Sequence, residues 1–115
     1  MLALHDIRDN IGLARDFLGA STLEALKTDR RTFYAVSRCL EIVSEAARRL
    51  PPEIRDRHPG LPWRAIMGLG NVYRHDYDNI VEALVWRTVR ESLPPLAAAI
   101  EAEIRRECME SGTGG

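Results

Sequence analysis

Apolar residues recur three and four positions apart along most of this chain, which is the pattern of helices that bury one face. The first such stretch covers residues 2–18 and is followed by Gly19, a residue typical of helix ends. Ser21 and Glu24 have the spacing of a capping box, which predicts a short second helix to about Thr28. The positions expected to be buried in the first helix are Leu4, Ile7, Ile11, Leu13, Ala14, Phe17 and Leu18.

A third helix is predicted from about Arg30 to Leu50, with Asp29 as its N-cap. Pro51 and Pro52 end this helix, because proline has no N–H to donate and disfavours helix in the residue before it. The residues up to Pro62 form a connector with one short helical turn. The buried stripe of the third helix is expected to comprise Phe33, Val36, Leu40, Val43, Ala47 and Leu50.

Two further helices follow the connector. Pro62 suits the first turn of a helix that continues, with aromatic and apolar residues at helical spacing, to Tyr77. The last helix is predicted from about Asn79 to Glu107, with a kink at Pro94-Pro95. Residues 108–115 are expected to be a frayed tail.

The predicted fold is therefore all-α, an antiparallel bundle of about four main helices with a kinked last helix, forming one domain over residues 1–107. No segment alternates with period two over a useful length. The apolar stripes of the helices after Arg30 and after Asn79 exceed what a bundle of this size is expected to cover. This surplus favours a homodimer.

Composition narrows the class of protein. The 115 residues are 45% apolar and 29% charged, with a formal net charge of −1, which is typical of a folded soluble domain. No stretch approaches the roughly 20 apolar residues of a membrane span, and early charges argue against a signal peptide, so a cytoplasmic protein is expected. Cys39 and Cys108 form no disulfide framework. With a net charge near zero, any contact with a polyanion must come from a local basic patch.

The densest polar and aromatic cluster covers residues 71–79, between the last two predicted helices. At one helical turn of spacing, Asn71 lies beneath His75, and Arg74 lies beneath Asp78. His75 is the side chain there whose unperturbed pKa, about 6.5, allows proton transfer near neutral pH. A lone histidine near a helix end also commonly caps carbonyl groups, so its neighbours decide between the two roles.

Residues 62–77, PWRAIMGLGNVYRHDY, resemble the signature of the HepT-like ribonuclease toxins of the HEPN superfamily. That signature is a Pro-Trp helix start, then Arg-Asn, three variable residues and His-x-Tyr. Weaker similarity extends over most of the chain, including residues 40–47 and the last helix. The resemblance implies a HEPN-like helical fold, a homodimer, and RNA cleavage at the dimer cleft without a metal or another cofactor.

The same resemblance assigns roles to individual residues. His75 would be the acid or base at the ribose 2′-hydroxyl or at the leaving oxygen, and Asn71 would orient or bind. Tyr77 matches the tyrosine that a cognate MntA-type nucleotidyltransferase antitoxin modifies with AMP. A bulky anion in the cleft would block a polyanionic substrate.

One position departs from the signature, because Gly70 stands where the family has its motif arginine. A glycine offers no charge to stabilise the extra negative charge of a phosphate transition state. Arg74 adjoins His75 and is the candidate substitute, although it lies about 40° from the face of Gly70 in an ideal helix. Two explanations of Gly70 stay open. One is close packing of the helix, which would also explain Gly68, and the other is loss of the activity.

Other interpretations stay open beside this one. The chain could be a catalytically inactive HEPN module that binds a nucleotidyltransferase, or a helical dimer without a partner. The dipeptides His5-Asp6 and His75-Asp76 occur in metal-dependent phosphohydrolases, but only His58 remains as a third histidine, so no metal site is predicted. The pairs Arg30-Arg31, Arg48-Arg49 and Arg105-Arg106 are typical of solvated helix faces.

Overall fold

A computed structural model describes residues 1–69 and 80–114, with side chains described over 1–69 and 81–110. Within these ranges the chain is helical and has no strand, which confirms the all-α prediction. The helices are α1 Leu2–Leu18, α2 Leu23–Thr28, α3 Arg30–Arg48, α4 Pro52–Asp56, α5 Trp63–Met67, α6 Ile80–Arg87 and α7 Leu93–Gly114, with a π-helical segment Thr88–Ser92 between α6 and α7.

Helices α1 and α3 pack along each other and form the centre of the core. They run antiparallel, since Asp6 near the start of α1 pairs with Arg49 at the end of α3, with 3.1 Å between Oδ2 and Nη2. All six positions predicted for the third helix are buried. In α1 the prediction was wrong for Leu13 and Phe17, which are 45% and 48% exposed. At 100° per residue these two lie about 140° and 100° from the centre of the buried stripe.

The starts of α2 and α3 are capped by side chains. Asp29 caps α3 as predicted, accepting a hydrogen bond from the Thr32 backbone N–H at 3.1 Å. The cap of α2 is Thr22 rather than the predicted Ser21, because Thr22 Oγ1 accepts from the backbone N–H of Ala25 at 3.1 Å. This shift by one residue takes Glu24 out of the capping-box position, and Glu24 pairs with Lys27 instead.

The last helical stretch changes its hydrogen-bond register before the two prolines. The Leu93 N–H bonds to the Thr88 carbonyl, five residues earlier, which defines the π-helical segment. Pro94 and Pro95 then occupy the first turn of α7, directly after this change of register. The sequence predicted the helix to end near Glu107, whereas α7 extends to Gly114.

The apolar stripes that favoured a homodimer are covered within one chain. The α3 stripe is buried, and so are the residues of the last helices at Val81, Val85, Val89, Leu93, Leu96 and Ile100. The exceptions there are Leu84, at 37% exposed, and the partly buried Ile104. Surplus apolar area on these helices therefore does not argue for dimerisation. No helix within the described ranges is long and apolar enough to cross a membrane.

Candidate functional site

The residues that the sequence singled out for chemistry all lie outside the described residues. These are Gly70, Asn71, Arg74, His75 and Tyr77. Residues 70–79 are called the motif segment below. The structure describes both of its flanks, α5 with Gly68 and Leu69 on one side and α6 on the other.

The first flank is anchored through the carbonyl oxygen of Met67, the last residue of α5. The Ser44 hydroxyl donates a hydrogen bond to it at 2.7 Å, and Arg48 Nη1 donates another at 2.8 Å. Carbonyl groups in the last turn of a helix have no partner within that helix, so these two donors satisfy one of them. Ser44 is fully buried, and α3 therefore holds the end of α5 at a defined point.

Two further contacts fix the start and the side of α5. The Trp63 indole N–H donates to the carbonyl of His58 at 2.9 Å, and Arg55 Nη1 lies 3.3 Å from the sulfur of Met67. Ile66 is buried in the core. The Pro-Trp helix start is thus tied to the connector before it, and α5 is held at both ends.

Gly68 follows α5. Its surroundings show whether close helix packing explains a glycine at this position. A Cβ atom at Gly68 would lie 3.3 Å from the Arg64 carbonyl oxygen and 3.7 Å from that of Ala65. Both oxygens belong to the preceding turn of the same helix. Close packing against another helix, one of the two explanations for the glycines, therefore does not account for Gly68.

The second flank is anchored through Glu82 in the first turn of α6. Glu82 is 1% exposed, and its Oε1 lies 3.2 Å from Arg30 Nη1 at the start of α3. Its second oxygen, Oε2, is buried and has no hydrogen-bond partner among the described residues. A carboxylate in the first turn of a helix is favoured by the helix dipole, and the guanidinium supplies the opposite charge that burial requires.

Arg30 is held from several sides. Its guanidinium carbon lies 5.0 Å from the centroid of the Phe33 ring and 5.1 Å from that of Tyr34, and Nη2 lies 3.3 Å from the Tyr34 hydroxyl. The two rings meet edge to face, with centroids 5.5 Å apart. The Arg30 side chain is still 45% exposed. Arg30 and Arg31 are thus both exposed, as expected for a solvated helix face, and Arg30 in addition pairs with the buried Glu82.

The contacts that anchor the two flanks, Ser44 with Met67 and Arg30 with Glu82, lie on one face of α3. Arg30, Ser37 and Ser44 are seven residues apart and therefore lie near one line along the helix, here called the polar seam. Arg30 contacts Glu82 and Ser44 contacts Met67, about 21 Å apart along the axis at 1.5 Å per residue. Ser37 between them is buried, and within the described part of the chain its hydroxyl has no hydrogen-bond partner. The motif segment connects the two ends of this seam.

A second polar cluster joins the connector to α7. Glu103 is 6% exposed and accepts from Arg57 Nε at 3.1 Å, and its Oε2 lies 2.7 Å from His58 Nε2. The hydrogen bonds from Arg57 are the main cause that lowers the pKa of Glu103 to about 2, with His58 adding to the effect. Because the His58 carbonyl also accepts from Trp63, this cluster positions the start of α5.

The histidines outside the motif segment take part in no group of three metal-ligating side chains within the described ranges. His58 contacts Glu103, and Asp6 of the His5-Asp6 dipeptide pairs with Arg49. Cys39 is buried, which raises the pKa of its thiol, and Cys108 is exposed. These side chains serve packing and ion pairing in the structure.

Comparison with known proteins extends the sequence resemblance. The family model described as "Ribonuclease HepT-like" matches residues 7–103. A probable ribonuclease HepT of Thermococcus cleftensis is 33% identical over 98 residues, covering 85% of this chain and 89% of that protein. A putative RNase of Methanocaldococcus jannaschii is 31% identical over 98 residues, covering 85% and 90%. No solved structure matches the chain.

The helical bundle, in which α5 and α6 flank the motif segment, is a HEPN-type helical domain. The chain belongs to the HepT-like ribonuclease family.

Proposed function

We propose that this chain is the toxin subunit of a HepT and MntA type toxin-antitoxin pair, an endoribonuclease that acts at the cleft of a homodimer and needs no metal. The observation that carries the proposal is the family match, which spans the motif segment together with both of its anchors. The anchoring of Met67 and Glu82 on α3 supports it, because a catalytic segment has to be held on rigid elements to work.

In the proposed reaction His75 accepts the proton of a ribose 2′-hydroxyl. The 2′-oxygen attacks the adjacent phosphorus, the bond to the 5′-oxygen breaks, and that oxygen leaves with a proton from water. The products are a 2′,3′-cyclic phosphate and a 5′-hydroxyl end. Asn71 orients the imidazole or the substrate. Arg74 supplies positive charge at the phosphate, in place of the motif arginine whose position is occupied by Gly70.

The experiment is RNA cleavage by the purified chain beside His75→Ala, with analysis of the product ends. We expect 5′-hydroxyl ends from the unmodified chain and a loss of cleavage in His75→Ala. Fragments that form equally with both proteins would come from a contaminating nuclease. The absence of cleavage by the unmodified chain under any buffer condition would contradict the activity.

Regulation by a partner is the second part of the proposal. A nucleotidyltransferase of the MntA type transfers AMP from ATP to Tyr77: the phenol oxygen bonds to the α-phosphorus and pyrophosphate leaves. Incubation with ATP, magnesium and that enzyme should add mass in units of AMP. Tyr77→Phe should remove the addition, with Tyr73→Phe as the matched control. Labelling that persists in Tyr77→Phe would show that another residue is the acceptor.

Gly70 favours one alternative, a catalytically inactive HEPN module that binds the nucleotidyltransferase. A missing preorganised donor typically lowers a rate by about a hundredfold to a thousandfold. The two candidates predict different outcomes for Gly70→Arg, since only a chain with an otherwise intact cleft gains activity from the added charge.

A further inference from the structure

The surface beside the polar seam combines an aromatic ring with arginines and has no part in the core. Tyr34 on α3 is 62% exposed, although it is a large aromatic side chain. Arg30 and Arg31 precede it by one helical turn and Arg38 follows it by one turn. All three arginines are exposed. The group Arg30, Arg31, Tyr34 and Arg38 is called the Tyr34 platform below.

We propose that the Tyr34 platform is a subsite for single-stranded RNA, in which an unpaired base stacks on the Tyr34 ring and arginines contact the neighbouring phosphates. This inference rests on the proposed function, because it assigns the substrate of that same site. Aromatic rings and guanidinium planes are the surfaces on which proteins stack unpaired bases. Guanidinium groups are also the preferred partners of phosphate.

The ring of Tyr34 is held in place before any ligand binds. Arg30 covers one face of the ring, and the edge-to-face contact with Phe33 fixes its tilt. Arg30 is itself bound to the buried Glu82. An exposed ring that is held by an arginine paired with a buried carboxylate loses little conformational entropy when a base stacks on it.

The charges around the ring fit a polyanion. Among the nearby carboxylates, Glu82 is buried beneath Arg30, Asp29 accepts from Thr32, and Glu41 pairs with Arg38 at 3.1 Å. The exposed Arg31 adds a further cation beside the ring. Among the described residues three arginines stand beside these three carboxylates, and because Glu82 is buried while all three arginines are exposed, the exposed charges around the ring are mainly positive.

The platform is linked through the Arg30–Glu82 pair to the helix that follows the motif segment. Glu82, the partner of Arg30, follows His75 by seven residues, which span at most about 25 Å even when fully extended. Tyr34 lies about 40° from Arg30 around the α3 axis, so the platform borders the polar seam. An RNA strand bound at Tyr34 would therefore reach the motif segment within a few nucleotides.

The test is equilibrium binding of a fluorescent 2′-O-methyl oligouridine, measured by anisotropy. This probe has no free 2′-hydroxyl, so it reports binding without cleavage. We expect Tyr34→Ala to raise the dissociation constant about tenfold, as the loss of one stacked base does. Tyr34→Phe keeps the ring and should stay within about twofold of the unmodified chain. Phe17→Ala removes another half-exposed ring, on α1, and should change nothing.

A second probe identifies stacking as the cause. With an abasic oligomer of the same length and charge, the difference between the unmodified chain and Tyr34→Ala should vanish. Equal binding of oligouridine by the unmodified chain and Tyr34→Ala would overturn the proposal. So would a change of oligomeric state in Tyr34→Ala, measured by sedimentation, because the ring would then belong to a protein interface. Binding through Tyr34 by a chain that cleaves no RNA would support the subsite and refute only the nuclease activity.

Discussion

Acid should weaken the Arg57–His58–Glu103 cluster, and the size of the effect follows from one carboxylate. The pKa of Glu103 is lowered from 4.5 to about 2 by its hydrogen bonds, first from Arg57. A carboxylate with a lowered folded-state pKa stabilises the fold above its unfolded pKa and loses that contribution as pH falls through the folded pKa. The shift corresponds to about 3 kcal/mol of unfolding free energy at neutral pH.

The expected pH window lies below the unfolded-state pKa of Glu103. About 2 kcal/mol of this contribution should be lost between pH 7 and about pH 3, and the remainder near pH 2. Glu103→Gln removes the titration, and it weakens the bonds to Arg57 at every pH. The unmodified chain should therefore be more stable than Glu103→Gln at pH 7, and the difference should shrink as pH falls.

The assay is urea unfolding of both proteins at a series of pH values, followed by circular dichroism. Other carboxylates titrate in both chains, so the difference between the two unfolding free energies isolates Glu103. Glu53→Gln is the control, since Glu53 is exposed and lies on the connector that carries Arg57 and His58. A difference that stays constant from pH 7 to pH 3 would refute the reasoning, because it would show that Glu103 has an ordinary pKa in the folded chain.

Three further predictions concern the anchors, the metal and the assembly. Ser44→Ala should lower the unfolding free energy by about 1 kcal/mol in a urea titration. The loss is limited to one hydrogen bond because Arg48 still donates to the Met67 carbonyl. Ser92 is exposed, so Ser92→Ala should have no effect. RNA cleavage should persist in excess EDTA, and a loss that magnesium or zinc restores would contradict metal independence. Light scattering at micromolar concentration should give about twice the mass of 13.0 kDa, and a strict monomer would remove the composite cleft.

Most of the helices could be predicted from the sequence, because the apolar spacing and the prolines are local signals. The buried stripe of α3 and the Asp29 cap are confirmed, as each depends on residues within one or two turns. The cap of α2 was missed by one residue, since Ser21 and Thr22 are chemically equivalent caps and only the backbone distinguishes them. Leu13 and Phe17 were assigned to the core by apolar character, although their angular positions point away from it.

The partners of the candidate site could not be predicted in the same way. The link between Arg30 and Glu82 joins residues 52 positions apart, and no local spacing indicates such a contact. One signal was present in the sequence: Arg30, Ser37 and Ser44 place polar residues at every seventh position on the helix with the most regular apolar stripe. A polar line of that kind on a core helix indicates that polar atoms face it across the bundle.

The measurement that tests the central claim most directly is RNA cleavage by the unmodified chain and Gly70→Arg under identical conditions, with His75→Ala in both backgrounds. We predict weak cleavage by the unmodified chain, an increase of about a hundredfold in Gly70→Arg, and a loss of both activities with His75→Ala. A folded Gly70→Arg protein that cleaves no RNA, beside an unmodified chain that is equally inactive, would contradict the ribonuclease and leave the partner-binding module.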